Sequence, residues 1–261
     1  MTSQTLMTRR SVRSIPQHRR AREWEGEEEG EGASGSDDPD HFAGGDWGAV
    51  YACKRPNTIA LTFDDGPHIY TPSLLQTLEQ NGVKATFFVN GQNYDSILTG
   101  QNQRIVREAY EAGHQIASHT WSHKDLATLS GPQIRREMTR LDDALRQIIG
   151  RAPAYMRPPY GSTSPLARQI LGDMGYKVIL WDIETKDTDH PEDAEAGLEE
   201  YRRALQSPGS TRKGWIALQH DPVESTSLEL APRAIRLAKR LGFRFATVAE
   251  CLGDAGGEYR D

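Results

Sequence analysis

The chain has 261 residues, with 31 Lys and Arg against 37 Asp and Glu, a formal charge of −6 and 36% hydrophobic residues. That length supports one large domain with a substantial core, and the acidic balance gives no footing for a nucleic-acid partner. No apolar run approaches the roughly 20 residues of a membrane span, and no N-terminal apolar region marks a standard secretory signal.

Residues 1–45 are expected to be a disordered tail. Its first 22 residues are rich in Arg, Ser and Gln and contain no acid, a composition close to that of a weak transit peptide. The stretch Glu23 to Asp40 is acidic and rich in Gly and Ser, with Trp24 its only large apolar side chain. Such a segment buries too little surface to offset its ordering entropy. The folded domain is expected over 46–261.

From Asp46 onward, strand and helix patterns alternate. Short β-branched and apolar runs predict strands at 57–63, 84–90, 115–118, 154–157, 176–181, 214–219 and 243–248. Helices are predicted between them at 71–81, 102–112, 131–149, 164–174, 192–206 and 229–241. In 131–149, Ile134, Met138, Leu141, Leu145 and Ile148 fall on one face, Pro132 suits the first turn and Gly150 the stop. Gly82, Gly113, Gly175 and Gly242 end four other helices in the same way. Strands alternating with helices predict a parallel sheet with right-handed crossovers. Polar clusters follow most of the strands, which favours an α/β barrel, closed or nearly so, with its chemistry on one rim. Cys53 precedes the first strand and Cys251 follows the last. In a closed barrel they approach across the seam, where a disulfide is one reading and two buried thiols the other.

The first strand runs into Thr62-Phe63-Asp64-Asp65-Gly66-Pro67. Adjacent carboxylates at a strand end repel unless a cation or protons neutralise them. Strand 115–118 runs into Ser118-His119-Thr120-Trp121-Ser122-His123. Imidazoles four apart converge on one ion when the segment turns helically, and with Asp65 on the same rim they make a His-His-carboxylate set. Zinc is the default ion for that set, and other divalent ions, cobalt among them, suit it too. Strand 154–157 ends in Arg157-Pro158-Pro159-Tyr160-Gly161, and strand 176–181 in Trp181-Asp182-Ile183-Glu184-Thr185-Lys186-Asp187. Strand 214–219 ends in Leu218-Gln219-His220-Asp221-Pro222, where His220 is a proton-transfer candidate because its ordinary pKa is near neutrality. Taken singly, these are also what an acidic turn, a surface histidine pair and polar loops look like; their common rim joins them.

In this order, TFDDGP, SHTWSH, RPPYG, WDIETKD and LQH resemble the five motifs of the polysaccharide deacetylases, also called carbohydrate esterase family four or the NodB homology domain. The stretches ALTFDDGPHIYT and KATFFVNGQN and the cysteine positions look most like those of fungal chitin deacetylases. The resemblance covers 46–252 and implies a distorted (β/α)7 barrel that hydrolyses N-acetyl groups of chitin or chitooligosaccharides. It implies Asp65, His119 and His123 as ligands of one divalent metal ion and Asp64 as general base, held by Arg157. It implies His220 as general acid, charged and oriented by Asp187. It further implies the Tyr160 backbone N–H as oxyanion donor, Leu218 as wall of the acetyl pocket, and Trp181 as lining of the sugar groove or as core. Glu184 and Thr188 depart from the family, which often has Asp at the first position and commonly an indole at the second. The same residues would serve a deacetylase of peptidoglycan or acetylated xylan, and a non-catalytic chitin-binding protein is the alternative of another class. A monomer and an extracellular or cell-wall setting are the expectations that the family brings, the second at odds with the absent signal.

Overall fold

A computed structural model of the protein describes residues 48–260. The tail expected at 1–45 lies outside the described residues.

The elements follow in chain order. β1 (Thr58–Asp64) leads to α1 (Thr71–Asn81), β2 (Thr86–Val89), α2 (Gly100–Glu111) and β3 (Gln115–Ser118). Next come α3 (Gly131–Ile149), β4 (Ala152–Pro153), β5 (Tyr155–Met156), α4 (Pro165–Asp173), β6 (Lys177–Val178) and β7 (Ile183–Glu184). The chain ends with α5 (Ala194–Leu205), β8 (Trp215–His220), α6 (Ala231–Arg240), β9 (Arg244–Phe245), α7 (Val248–Leu252) and β10 (Tyr259–Arg260). No described helix is long and apolar enough to cross a membrane.

The large sheet runs β6-β5-β3-β2-β1-β8-β7, and all of its pairings are parallel. Its two ends are halves of one short stretch. The sequence predicts a single strand over 176–181; the structure has β6 at its start and β7 just beyond its end, and the two pair with opposite neighbours. Ile179 N–H donates to the Met156 carbonyl on the β5 side, and Asp182 N–H donates to Ile216 on the β8 side. The ring closes through this bend, with Val50 bridging Ile179 at the gap. β9 pairs the lower end of β1 at Thr58 and Ile59, while β2 pairs its upper end from Thr62 to Asp64. These irregularities make the fold a distorted β/α barrel.

Strand periodicity sorts the side chains. On β1 and β8, Ile59, Leu61, Phe63, Trp215 and Ala217 pack outward with the helices. The alternate residues Ala60 and Ile216 join Phe88, Ala117 and Ile179 in a second cluster that fills the ring. Two steps higher on that inner face stand Thr62 and Leu218, and two more bring Asp64 and His220 opposite each other. The hydrophobic interior thus carries its last inward residues onto the rim.

Helix α3 has the predicted bounds. A capping box of Ser130 and Gln133 opens it, and Gly150 at φ 73° closes it. The last predicted strand, 243–248, is a strand only at Arg244–Phe245, and α7 follows it. Thr247 caps α7, and the freed N–H groups of Val248 and Ala249 donate to Thr86 Oγ1 and Gln115 Oε1 beneath the ring.

Cys53 and Cys251 form a disulfide, with Cα atoms 5.1 Å apart and a sequence separation of 198. Gly214 makes room for it, since a Cβ there would lie 2.5 Å from Cys53 Cβ. A bond closing so long a loop restricts the unfolded chain. Replacing both cysteines by Ser is expected to lower unfolding free energy by about 2–4 kcal/mol in a urea titration. An unchanged midpoint would mean that the sheet alone holds the seam.

Candidate active site

Asp64 ends β1 and is 2% exposed. Asp65 follows at φ 75°, a left-handed conformation uncommon for a residue with a side chain. That turn sends the adjacent carboxylates to different partners. Its backbone is fixed from β2, where the Phe88 carbonyl accepts from Asp65 N–H and Asn90 N–H donates to the Gly66 carbonyl.

His119 and His123 converge, but not through the helical turn that their spacing suggests. The loop is irregular, with Thr120 at φ 70° and His123 at φ 53°. Helix α3 imposes that shape. The Glu137 carboxylate accepts from Ser122 N–H and from Ser122 Oγ, both at 2.7 Å, and Arg140 lies 4.1 Å over the Trp121 ring. Gly91 is needed beneath that indole, because a Cβ would sit 2.0 Å from it.

His119 Nδ1 lies 2.7 Å from the Arg157 carbonyl, which fixes the proton there and leaves Nε2 with its lone pair. Asp65 Oδ1 is 3.6 Å from His119 Nε2 and 3.2 Å from His123 Nε2. The three donor atoms lie within 4.8 Å of one another. Ligands about 2.0–2.2 Å from a tetrahedral zinc ion stand about 3.4 Å apart, close to both separations from Asp65, so the set suits such an ion. Burial, then the charge of its neighbour His123, holds the His119 pKa well below the usual value, and burial lowers that of His123. Both rings are therefore held neutral, the form that ligates metal.

Arg157 is fully buried. Its Nη1 donates to Asp64 Oδ1 at 2.8 Å and to Thr62 Oγ1 at 2.6 Å. Its Nη2 and Nε donate to the carbonyls of Leu180 and Ile179, at 3.1 and 3.3 Å. Both carbonyls belong to the gap between β6 and β7. Burial raises the Asp64 pKa to about 6 against the opposing pull of Arg157.

On β8, directly beside Asp64, His220 Nδ1 pairs with Asp187 Oδ1 at 2.8 Å, and His220 N–H donates to Asp187 Oδ2 at 2.7 Å. Thr226 Oγ1 donates to the same Oδ2 at 2.7 Å. Burial opposes charge on His220, but Asp187 outweighs it and the pKa rises to about 10. A raised histidine pKa adds stability below the unfolded value of about 6.5, and that contribution is lost as pH climbs through about 10. In metal-free protein, stability is expected to fall between those limits, and Asp187→Asn is expected to flatten the slope. Urea titrations at successive pH values check this, and an equal slope in the variant would contradict it.

Tyr160 sits at φ 62°, its ring 4.8 Å from that of His123 and edge-on to it. Leu218 is 6% exposed. Trp181 is half-buried, 5.5 Å from the Arg157 guanidinium, and its ring covers Gly161. Glu184 is exposed and Thr188 half-buried. Among the described residues, six without a glycine's freedom have positive φ, and five of them (Asp65, Thr120, His123, Tyr160 and Lys186) stand in the loops that form this mouth. Such conformations cost about 1–3 kcal/mol each and persist only where surroundings enforce them.

Residues 51–179 match the polysaccharide deacetylase family profile. A chitin deacetylase from Pestalotiopsis sp. is 46% identical over 211 residues, which span 80% of this chain and 68% of that protein. The chain belongs to the polysaccharide deacetylase family. The solved chitin deacetylase of Colletotrichum lindemuthianum superposes with a TM-score of 0.80 at 39% identity, covering 82% of this chain and 96% of that one. The peptidoglycan-N-acetylglucosamine deacetylase of Listeria monocytogenes is 35% identical over 81% of this chain, which spans only 43% of that relative.

Several residues around this cluster escape sequence reasoning. Asn93 Nδ2 donates to Asp65 Oδ1 at 3.2 Å, and Asn90 Nδ2 donates to the His119 and Thr120 carbonyls. Both follow β2, so their place after a strand is a signal that points to the rim. Glu137 and Thr226 come from helical segments and carry no such signal. Asp221 is wholly buried, and burial lifts its pKa to about 7.

Proposed function

We propose that the protein hydrolyses the N-acetyl groups of N-acetylglucosamine units in chitin or chitooligosaccharides, with Asp65, His119 and His123 holding a divalent ion, zinc by preference. One observation carries the reading: three donor atoms lie within 4.8 Å, while the neighbouring carboxylate, Asp64, gives one oxygen to Arg157 and keeps the other 3.8 Å from His119 Nε2. The chitin deacetylases of Pestalotiopsis and Colletotrichum support the substrate class.

A bound ion supplies Lewis acidity toward the acetyl carbonyl and toward water. Asp64 accepts the proton of the attacking water, and Arg157 keeps that carboxylate oriented. The Tyr160 N–H donates to the tetrahedral oxyanion, and the unusual φ at this residue aims it. His220, held as imidazolium by Asp187, delivers a proton to the departing amine, a poor leaving group otherwise. Acetate leaves, the amine stays on the sugar, and the cycle closes as Asp64 releases its proton to solvent and His220 regains one from it. Leu218 walls the pocket of the acetyl methyl, and Trp181 backs the sugar groove over Gly161. The disulfide supports an oxidising extracellular or cell-wall setting.

The test is acetate release from chitooligosaccharides, peptidoglycan and acetylated xylan in parallel. The chitin oligomers are expected to react fastest, chelator to stop the reaction and Zn2+ to restore it. Faster release from peptidoglycan would move the substrate. Binding of chitin oligomers with no acetate from any of the three would overturn the hydrolase reading.

A further inference from the structure

Asp221 has no part in the chemistry above, yet it is a fully buried acid beside it. Its Oδ2 accepts from Thr71 Oγ1 at 2.5 Å, and its Oδ1 has no partner. An unpartnered buried carboxylate oxygen costs stability, so its retention asks for another reason. The surroundings supply one. Both carboxylate oxygens lie against Gly66, where an added Cβ would stand 2.2 and 2.5 Å from them. The Thr71 hydroxyl that reaches Asp221 also accepts from His68 N–H at 2.8 Å, and Thr71 N–H donates back to the His68 carbonyl at 3.1 Å. The turn from Gly66 to Thr71 is thus pinned at both ends by one side chain. Asp221 is itself anchored, because its N–H donates to the Asp64 carbonyl and its carbonyl accepts from Ser227 Oγ.

That turn carries Asp65 at φ 75°. On the β2 side the Phe88 carbonyl and Asn90 N–H hold it. On the other side stands Asp221, with a small pocket of about 10 Å3 beside it, lined also by Pro67, Thr71 and Val89. We propose that Asp221 is a positioning residue for the metal centre: through Gly66 and Thr71 it keeps the Asp65 carboxylate aimed at His119 and His123. Because it directly follows His220, the clamp also ties the ligand turn to the strand end that carries the proton donor. The inference rests on the reading of Asp65, His119 and His123 as metal ligands.

The test measures binding of Zn2+ alone by calorimetry, the visible spectrum with Co2+, and the Tm of metal-free protein. Asp221→Leu removes the acceptor, and Thr71→Val removes the donor with little change of shape. Each is expected to weaken Zn2+ binding about 10–100-fold, as loss of an orienting partner does, and to alter the Co2+ spectrum. The Tm of the metal-free Asp221→Leu protein is expected to be equal to or above that of the parent, since a costly buried group has gone. Asp221→Asn keeps an acceptor for Thr71 and is expected to bind Zn2+ within about threefold of the parent. Parent-like affinity in both Asp221→Leu and Thr71→Val would overturn the clamp. So would affinity that falls only in step with the Tm of the metal-free protein. A parent protein that binds neither ion would sink the metal centre itself, and the clamp with it. If Asp221→Leu does not fold, Thr71→Val and Asp221→Asn decide the question.

Discussion

Asp64→Asn is expected to lower kcat on chitooligosaccharides by about 10²–10⁴-fold, the span that a lost general base accounts for. Zn2+ is expected to bind with unchanged stoichiometry, because the donor atoms come from Asp65, His119 and His123. The argument rests on how the two neighbouring acids are separated. Asp64 faces the guanidinium at 2.8 Å, and Asp65 faces the two imidazoles. The amide oxygen of Asn still accepts from Arg157 Nη1, so the shape of the pocket survives while its proton acceptor is lost. KM should change far less than kcat. Steady-state kinetics with calorimetry of Zn2+ binding separate the two effects, and a variant turning over near the parent rate would remove Asp64 from the base role.

The largest effect on stability is expected at Arg157. Arg157→Leu leaves Asp64 buried without its hydrogen-bonded counter-charge and deprives Thr62 Oγ1 and the carbonyls of Ile179 and Leu180 of their donor. Breaking a buried pair from one side costs about 3–5 kcal/mol. Lys at this position is expected to rescue little, since one ammonium cannot reach acceptors that the planar fork meets together. Adding Asp64→Asn to Arg157→Leu should recover part of the loss by removing the orphaned charge. Urea unfolding of the four proteins tests this. A loss below about 1 kcal/mol in Arg157→Leu would show that the ion pair is not what holds the rim together.

Much of this was legible in the chain because period-2 alternation and rim position are local properties. Ala60, Thr62 and Asp64 share a face whatever the barrel does, and so do Ile216, Leu218 and His220. Helices such as α1 and α3 announce their ends through Pro and Gly. Other features are set by distant neighbours. The loop from His119 to His123 takes its path from Glu137 and Arg140 on α3, which no spacing rule contains. Left-handed backbone at Asp65, His123 and Tyr160 has no glycine to signal it. Asp221 reads as one more acid in a loop until Gly66 is seen against it. At 246–248 the apolar Ala246 and Val248 read as the end of a strand, while the capping box of Thr247 and Glu250 that opens α7 is equally present in the sequence.

The gap between β6 and β7 has a use of its own. In an unbroken strand, the oxygens of Ile179 and Leu180 would be spent on neighbouring strands, and a cation at the centre of the ring would keep only Asp64 and Thr62 to face. Here the interruption turns two peptide dipoles inward, onto Nε and Nη2 of Arg157. The imperfection of the cylinder is therefore what lets a charged side chain live inside it, and a redesign that completed the missing rungs would gain regularity while evicting that guanidinium.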